Sequence, residues 1–346
     1  MGRDPHRAAD GPTGPPTLAD VAALAGVSRQ TVSNALNNPA LLRADTLERV
    51  RDAVDTLGYT PNRAARNLRT KASRLIGLRL TPFAEETANA TVDRFVHSLV
   101  QASREAGYHV LLFDGDDPSD PASGYDELVR STAVDAFVVT DTFKGNPQAS
   151  YLEDSRVPFV AFGRPWTPAA LHPWVDVDGA AGTAEATAHL LARGHRKVAW
   201  IGWRKESPIG EDRRAGWSRT LRGHGLSTTG LASRVEDTVR SGHEAAGVLL
   251  DEAAPTAFVC ASDTLATGVL RQLHERRLVA GRDVAVVGFD DSPVAQLLPG
   301  GLTSVRQPLE EVAVQVVDRL GKLLGHRETF GSGTLLAPHL VVRGSS

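Results

Sequence analysis

The fold class predicted by this 346-residue sequence is an all-α helix-turn-helix head followed by an α/β body built on parallel sheets. Three observations predict it. Two short helical segments meet at the tight turn Gly26-Val27, a third amphipathic segment follows them, and from Arg74 onward short apolar runs alternate with helical stretches. The length suggests two or three domains, and 41% hydrophobic with 23% charged residues is the composition of a globular chain.

The opening residues MGRDPHRAADGPTGPP carry no apolar stretch that could act as a secretory signal, so residues 1–16 are expected to be a disordered leader. Thr17-Leu18-Ala19-Asp20 then has the form of a capping box, opening the helix LADVAALA, which Gly26 ends. Ser28 caps a second helix, RQTVSNALN. Val21 and Leu24 on the first helix, with Val32 and Leu36 on the second, give the pair facing apolar sides. A third helix is expected from Asp45, with Glu48 three residues on, and its stripe of Leu47, Val50, Val54 and Leu57 closes a small core before Gly58. After Pro61, Asn62 is placed to cap a short basic segment, RAARNLRTK, whose only large apolar side chain is Leu68; such a segment does not hold a helix alone in water.

Charge is uneven. The whole chain carries −3, but from Thr17 to Leu75 nine basic residues stand against five acidic ones, a net of +4, and the leader is balanced, so the rest carries −7. A small basic head on an acidic body suits a protein that touches DNA with one part only. The outer side chains of the second helix are short hydrogen-bonding groups rather than the Glu and Lys of a solvated face. Arg29 suits guanine O6/N7 and Gln30 suits adenine N6/N7, while Ser28, Thr31, Ser33 and Asn37 suit phosphates.

TLADVAALAGVSRQTVSNALN, followed by TLERVRDAVDTLGYTPNRAARNLR, resembles the DNA-binding head of the lactose-repressor (LacI/GalR) family along its whole length. The resemblance implies base reading by Arg29 and Gln30 with Asn34 as a further reader, and DNA contacts from Thr17, Asn62, Arg63 and Ala65. It also implies a hinge helix within residues 62–73 that folds on the duplex and wedges Leu68 into a minor-groove base step, a kinking device. A packing contact with the body is the alternative for Leu68.

The apolar runs RLIGLRL, HVLLFDG, VDAFVVTD, VPFVAFG, KVAWIGW, AFVCASD and DVAVVGFDD read as strands. Between them VDRFVHSLVQASREAG, TAEATAHLLARG, EAAGVLLDEA, LATGVLRQLHERRL and LEEVAVQVVDRLGKLLG read as helices. The resemblance continues through WVDVDG, DRRAGW, ASDTLATG, GFDD and LTSVRQP. It implies a periplasmic-binding-protein-like body at 74–346, with two parallel-sheet subdomains and an effector in the cleft between them. The expected N-subdomain is 74–170 with 306–325, and the C-subdomain 171–305 with 326–346. Crossovers are expected near Pro165 to Trp174, near Pro299 to Gln307 and near Gly325.

By the same resemblance Arg213 and Asp290 lie at the effector-binding arginine and aspartate, and Ser262 stands where the lactose repressor has a sugar-binding asparagine, which weakens that contact. Bidentate Arg and Asp suit vicinal hydroxyls and an aromatic plane suits a sugar ring, so Phe83, Arg164 and Trp166 on strand-end loops are further candidates. Trp166, Trp174 and Trp203 near strand ends favour a mono- or oligosaccharide. Trp217 reads as core.

No dinucleotide, P-loop, serine-hydrolase or zinc-protease motif is present, and no cofactor is expected. Asp176, Asp178 and Gly179 lack the later ligands of an EF-hand, and His189 and His195 have no partnering cluster. The single cysteine, Cys260, excludes an internal disulfide and suits a reducing cytoplasm. The expectation is a non-enzymatic, homodimeric repressor of an inverted-repeat operator, controlled by a sugar and independent of membranes. A purine- or protein-corepressed regulator of the same fold and a sugar-binding transport protein are the alternatives; the basic head counts against the latter.

Overall fold

The computed structural model describes residues 15–60, 72–80, 90–115, 120, 123–140, 142–167, 172–325 and 333–346. The expected leader up to residue 14, the hinge positions Asn62, Arg63, Ala65 and Leu68, and the cleft candidate Phe83 lie outside them. The chain divides into two compact units, Met1–Ala72 and Ser73–Ser346.

In the head, α1 (Leu18–Ala25) starts at the expected capping box. The Thr17 hydroxyl accepts from Asp20 N at 3.4 Å, and Asp20 Oδ2 accepts from Thr17 N at 2.7 Å. Gly26 ends the helix at φ 64°, left-handed backbone that glycine adopts without strain. Ser28 caps α2 (Arg29–Asn37) by accepting from Thr31 N at 3.1 Å. Val21, Ala22, Ala25, Val32, Val50, Ala53 and Tyr59 form the core, with Ala35, Leu36, Val54 and Leu57 packed around it.

Two details differ from the sequence reading. Leu24 is 54% exposed, because Val21, Ala22 and Ala25 take the inward face of the two-turn helix and Leu24 sits one step, about 100°, off it. The third helix, α3 (Ala44–Leu57), begins at Ala44 without a side-chain cap on Arg43, and Asp45 instead accepts from its neighbour Thr46 N.

The second unit holds two six-stranded sheets. The first has the order β11-β5-β4-β3-β1-β2, with β1 Leu75–Arg79, β2 His109–Phe113, β3 Ala136–Val139, β4 Phe159–Phe162, β5 Trp174–Val177 and β11 Gly333–Leu336, all pairs parallel. The second runs β12-β10-β9-β8-β6-β7, with β6 Val198–Trp203, β7 Ala232–Val235, β8 Ala257–Cys260, β9 Ala285–Phe289, β10 Thr303–Arg306 and β12 His339–Val341, of which only the β10–β12 pair is antiparallel. β3, β8 and β9 are buried along their whole length, the mark of strands covered on both faces.

Helices α4 (Ala90–Glu105) and α12 (Leu309–Leu324) pack together beside the first sheet, where Phe95, Leu99, Val312, Val316 and Leu320 share a core with Ile76, Val138 and Val160. Two shorter helices, α5 (Tyr125–Arg130) and α6 (Pro147–Asp154), close a second core around Phe137 and Phe159. The second subdomain carries α7 (Gly179–Ala192), α8 (Pro208–Gly223), α9 (Val239–Glu252), α10 (Asp263–Glu275) and the short α11 (Pro293–Leu297). Where α7 and α8 cross, a Cβ on Gly216 would lie 2.0 Å from Ala180 O, and Gly268 makes the same close approach between α9 and α10. Such contacts admit no side chain and fix the helices' spacing.

The chain crosses between the sheets three times, after β5, after β10 and after β11. β5 therefore belongs to the first sheet, paired with β4 (Phe162 to Val175) and β11 (Asp176 to Leu335), rather than to a second subdomain starting at 171. The C-terminal stretch expected wholly in the second subdomain likewise splits, β11 joining the first sheet and β12 the second, so the third crossover lies at Ala337-Pro338 and not near Gly325. Sheet membership of such short strands is decided by non-local pairing, which their own residues do not encode. Among the described residues no helix is long and apolar enough to cross a membrane.

Candidate functional site

On the head, Ser28, Arg29 and Gln30 are exposed at the start of α2, and Thr31, Ser33, Asn34 and Asn37 are half-buried along it. Gln30 Nε2 donates to Asn34 Oδ1 at 3.1 Å, one turn along the helix, and Asn37 Nδ2 donates to Ser33 O at 2.6 Å. Thr17 is held by Asp20, to which its hydroxyl donates at 2.6 Å, and that bond lowers the Asp20 carboxyl from its ordinary range. The helix thus turns Val32 inward and presents a row of hydrogen-bonding groups outward.

A cleft lies where the carboxyl ends of the strands of both sheets meet, a cavity of about 520 Å³. This is the position at which open α/β sheets take ligands. Thr142 follows β3, Gly163, Arg164 and Trp166 follow β4, and Asp176 is on β5; across from them are Trp203 ending β6, Asp237 after β7, Asp290 after β9, and Asp212 and Arg213 on the first turns of α8.

Arg213 is 5% exposed. Its Nη1 donates to Ala261 O at 2.5 Å and sits 3.6 Å from Asp290 Oδ1, while its guanidinium lies over the rings of Phe289 at 3.7 Å and Trp203 at 4.9 Å. Asp290 also accepts from Gln307 Nε2 at 2.7 Å. Burial pushes the Asp290 carboxyl up to about 7, against the opposing pull of Arg213. Its backbone stands at φ 107°, a conformation rare outside glycine, and its neighbour Asp291 is at φ 47°. Strain of this kind concentrates at functional sites. Asp291 in turn is held by Arg306 and Arg343, and Asp263 by Ser304 and Ser292, so the cleft rests on a buried polar layer.

Arg164 has a different part. Nε donates to Asp176 Oδ2 at 2.7 Å, Nη1 and Nη2 donate to the two oxygens of Asp212 at 3.4 and 3.3 Å, and Nη2 reaches Val177 O at 3.2 Å. Since Asp176 is on the first subdomain and Asp212 on the second, Arg164 is an ionic strut across the cleft, fully occupied by the protein itself. Its guanidinium lies 4.6 Å from the Trp166 ring centroid.

Ser262, expected to touch the effector, does not line the cavity: it caps α10 by accepting from Leu265 N at 3.2 Å, and its hydroxyl donates to Asp237. The group facing the cleft there is Asp237, whose carboxyl burial raises. Trp174 opens β5 at the end away from the cleft and covers Gly333. Trp217 is fully buried and donates to Val198 O at 3.2 Å, as a core residue. Asp178 caps α7 rather than completing a calcium loop, His189 and His195 bond Ser346 and Thr256, and burial raises the Cys260 thiol.

Thr142, Asp176, Asp212, Asp237 and Gln307 were not singled out as effector contacts from sequence. Their common signal is position: each lies at the carboxyl end of a strand, save Asp212, which precedes Arg213.

A helix-turn-helix head on a two-sheet, cleft-bearing α/β body defines a DNA-binding transcriptional regulator with a periplasmic-binding-protein-like body. The comparisons agree in both halves. Residues 17–62 match the model of bacterial regulatory proteins of the lacI family, and residues 187–346 that of the periplasmic binding protein-like domain. The HTH-type transcriptional regulator CelR of Thermobifida fusca is 33% identical over 339 residues, 95% of this chain and 98% of that protein. Among solved structures, a CelR–cellobiose complex is 31% identical at TM-score 0.70, covering 96% of this chain and all of the other. The lac repressor dimer bound to operator and the anti-inducer ONPF is 28% identical at TM-score 0.79, covering 96% and 99%. The chain belongs to the LacI family of transcriptional regulators.

Proposed function

We propose that this regulator is a repressor that binds an inverted-repeat operator as a homodimer and releases or grips it according to a sugar in the cleft. Two-fold symmetry in the protein matches approximate palindromy in the site. Arg29 and Gln30 lead into the major groove with Asn34 as a third reader; Ser28, Thr31, Ser33 and Asn37, with Thr17 at the start of α1, hold phosphates. Leu68 is the minor-groove wedge of a hinge segment that includes Asn62, Arg63 and Ala65.

The observation that carries the sugar assignment is the ion pair of buried Arg213, stacked on the rings of Phe289 and Trp203, with Asp290, at the strand ends of a cavity large enough for a small ligand. Planar, bidentate charged groups beside aromatic faces suit a polyhydroxylated ring. The complex of the relative CelR with cellobiose supports the same reading.

Control follows from linkage. A sugar that prefers one opening of the cleft shifts DNA affinity by its differential affinity for the two openings, and by no more.

The test is operator binding with and without sugars. An inverted-repeat fragment from upstream of the protein's own gene should bind in a gel-shift assay, and one sugar should change its affinity in the wild type but not in Asp290→Ala. An unaltered response in that variant would move the effector elsewhere.

A further inference from the structure

Two properties of the cleft narrow its occupant further, given the sugar reading above. The first is charge. Its wall carries the guanidinium groups of Arg164 and Arg213 and the carboxylates of Asp176, Glu206, Asp212, Asp237 and Asp290. Both cations are already engaged, Arg164 by Asp176 and Asp212 and Arg213 by Asp290. An anionic ligand would therefore meet a surplus of negative charge on the cleft wall, even with Asp290 counted as neutral. A neutral polyol meets acceptors for its hydroxyl protons instead.

The second property is the distribution of unsatisfied donors. Among the described residues, Thr142 Oγ1 and Trp166 Nε1 on the first subdomain and Arg213 Nε on the second are buried with no hydrogen-bond partner. Buried polar atoms rarely remain unpaired, so atoms like these on opposite walls are places for ligand oxygens. Trp166 is held at φ 55° with its ring beneath Arg164, and Phe143 stands 43% exposed on the same wall. A cavity of about 520 Å³ falls in the range that encloses drug-sized molecules, more than one pyranose ring requires.

We propose that the effector is an uncharged oligosaccharide of at least two rings. One ring lies on the second subdomain at Arg213 and Asp290, and the next lies on the first at Trp166, hydrogen-bonded by Thr142. Trp166 is then the residue that sets ligand length.

Isothermal titration calorimetry of the full chain tests this with cellobiose, maltose, melibiose and maltotriose against glucose, galactose and glucose 6-phosphate. One neutral oligosaccharide should bind at least 10-fold more tightly than its component monosaccharides, and glucose 6-phosphate should bind no better than glucose. Trp166→Ala should weaken oligosaccharide binding more than monosaccharide binding and so remove the 10-fold advantage, and Trp166→Phe, which keeps an aromatic plane, should retain most of it. A monosaccharide that binds as tightly as the best oligosaccharide, equal losses for both in Trp166→Ala, or a phosphate that improves binding would overturn the proposal and leave the sugar reading standing. Binding of none of these sugars would remove the sugar reading itself, and this proposal with it.

Discussion

On the proposed function, the head and the body recognise their partners by opposite physical means. On the head, Arg29 and Gln30 are exposed, close in sequence, and supported by a core of a few small side chains. In the body, Arg213 is buried and Asp290 half-buried, 77 positions apart in sequence by their numbers, with their charges 3.6 Å apart and their hydrogen bonds made to Ala261 O and Gln307. DNA is a polyanion that brings its own water and counterions, so an open polar face can meet it. A small neutral ligand offers little charge, and only a desolvated, preorganised site extracts enough from a few hydrogen bonds.

That contrast predicts separable damage. Arg213→Ala should cost the body about 3 kcal/mol, the lower end for breaking a buried ion pair, since Asp290 with a pKa of about 7 can take up a proton. All five tryptophans, at 166, 174, 200, 203 and 217, are in the body, so urea unfolding followed by tryptophan fluorescence reports this unit alone. A midpoint unchanged by the substitution would mean the pair contributes nothing net.

Arg29→Ala should instead cost about 1–3 kcal/mol of discrimination between operator and mismatched DNA, with no change in the fluorescence midpoint. Equal loss on operator and random DNA would leave Arg29 as a phosphate contact.

A third experiment uses pH. Asp290 and Asp263, raised to about 7 and about 6 from 3.8, hold protons in the folded body over a range where the unfolded chain has released them. Their contribution to stability is therefore fully favourable only at low pH and declines as pH rises from about 4 to about 7, by up to about 1.4 kcal/mol per pH unit per group. Asp290→Asn should flatten the upper part of this slope, between about pH 6 and 7. An unchanged slope would place the titration in another group.

The smallest effect belongs to the head. Ser28→Ala removes the cap of α2 and should cost about 1 kcal/mol of head stability, seen as weaker binding to operator and random DNA alike at 37 °C. Loss confined to the operator would instead give Ser28 a base contact.

The same contrast governs what the sequence made legible. The head is local chemistry: Thr17 and Asp20, the left-handed Gly26 and the cap Ser28 sit within a few residues of the groups they satisfy, so both α1 and α2 could be placed from their residues. The long amphipathic helices α4 and α12 and the apolar strands β1, β3, β8 and β9 were legible for the same reason. The placement of β5 and β11, the side of each crossover, and the partners of Arg164 were not. Each depends on which distant strand supplies the hydrogen bonds, and four residues of strand carry no such address. Arg213 and Asp290 were named through family resemblance, whereas Asp212 and Asp237 beside them needed coordinates. Ser262 was expected as an effector contact, and its hydroxyl is instead engaged as the cap of α10 and by Asp237.

The three crossovers leave from β5, β10 and β11, within the last two strands at one border of each sheet, and the first of them enters α7, which packs beside β10 and β12. Subdomains stitched along a single border behave like the covers of a book: they swing about the spine and resist being pulled apart. Opening by a few degrees there displaces the far margins most, so a ligand pressed near the spine exerts its largest leverage on surfaces it never touches.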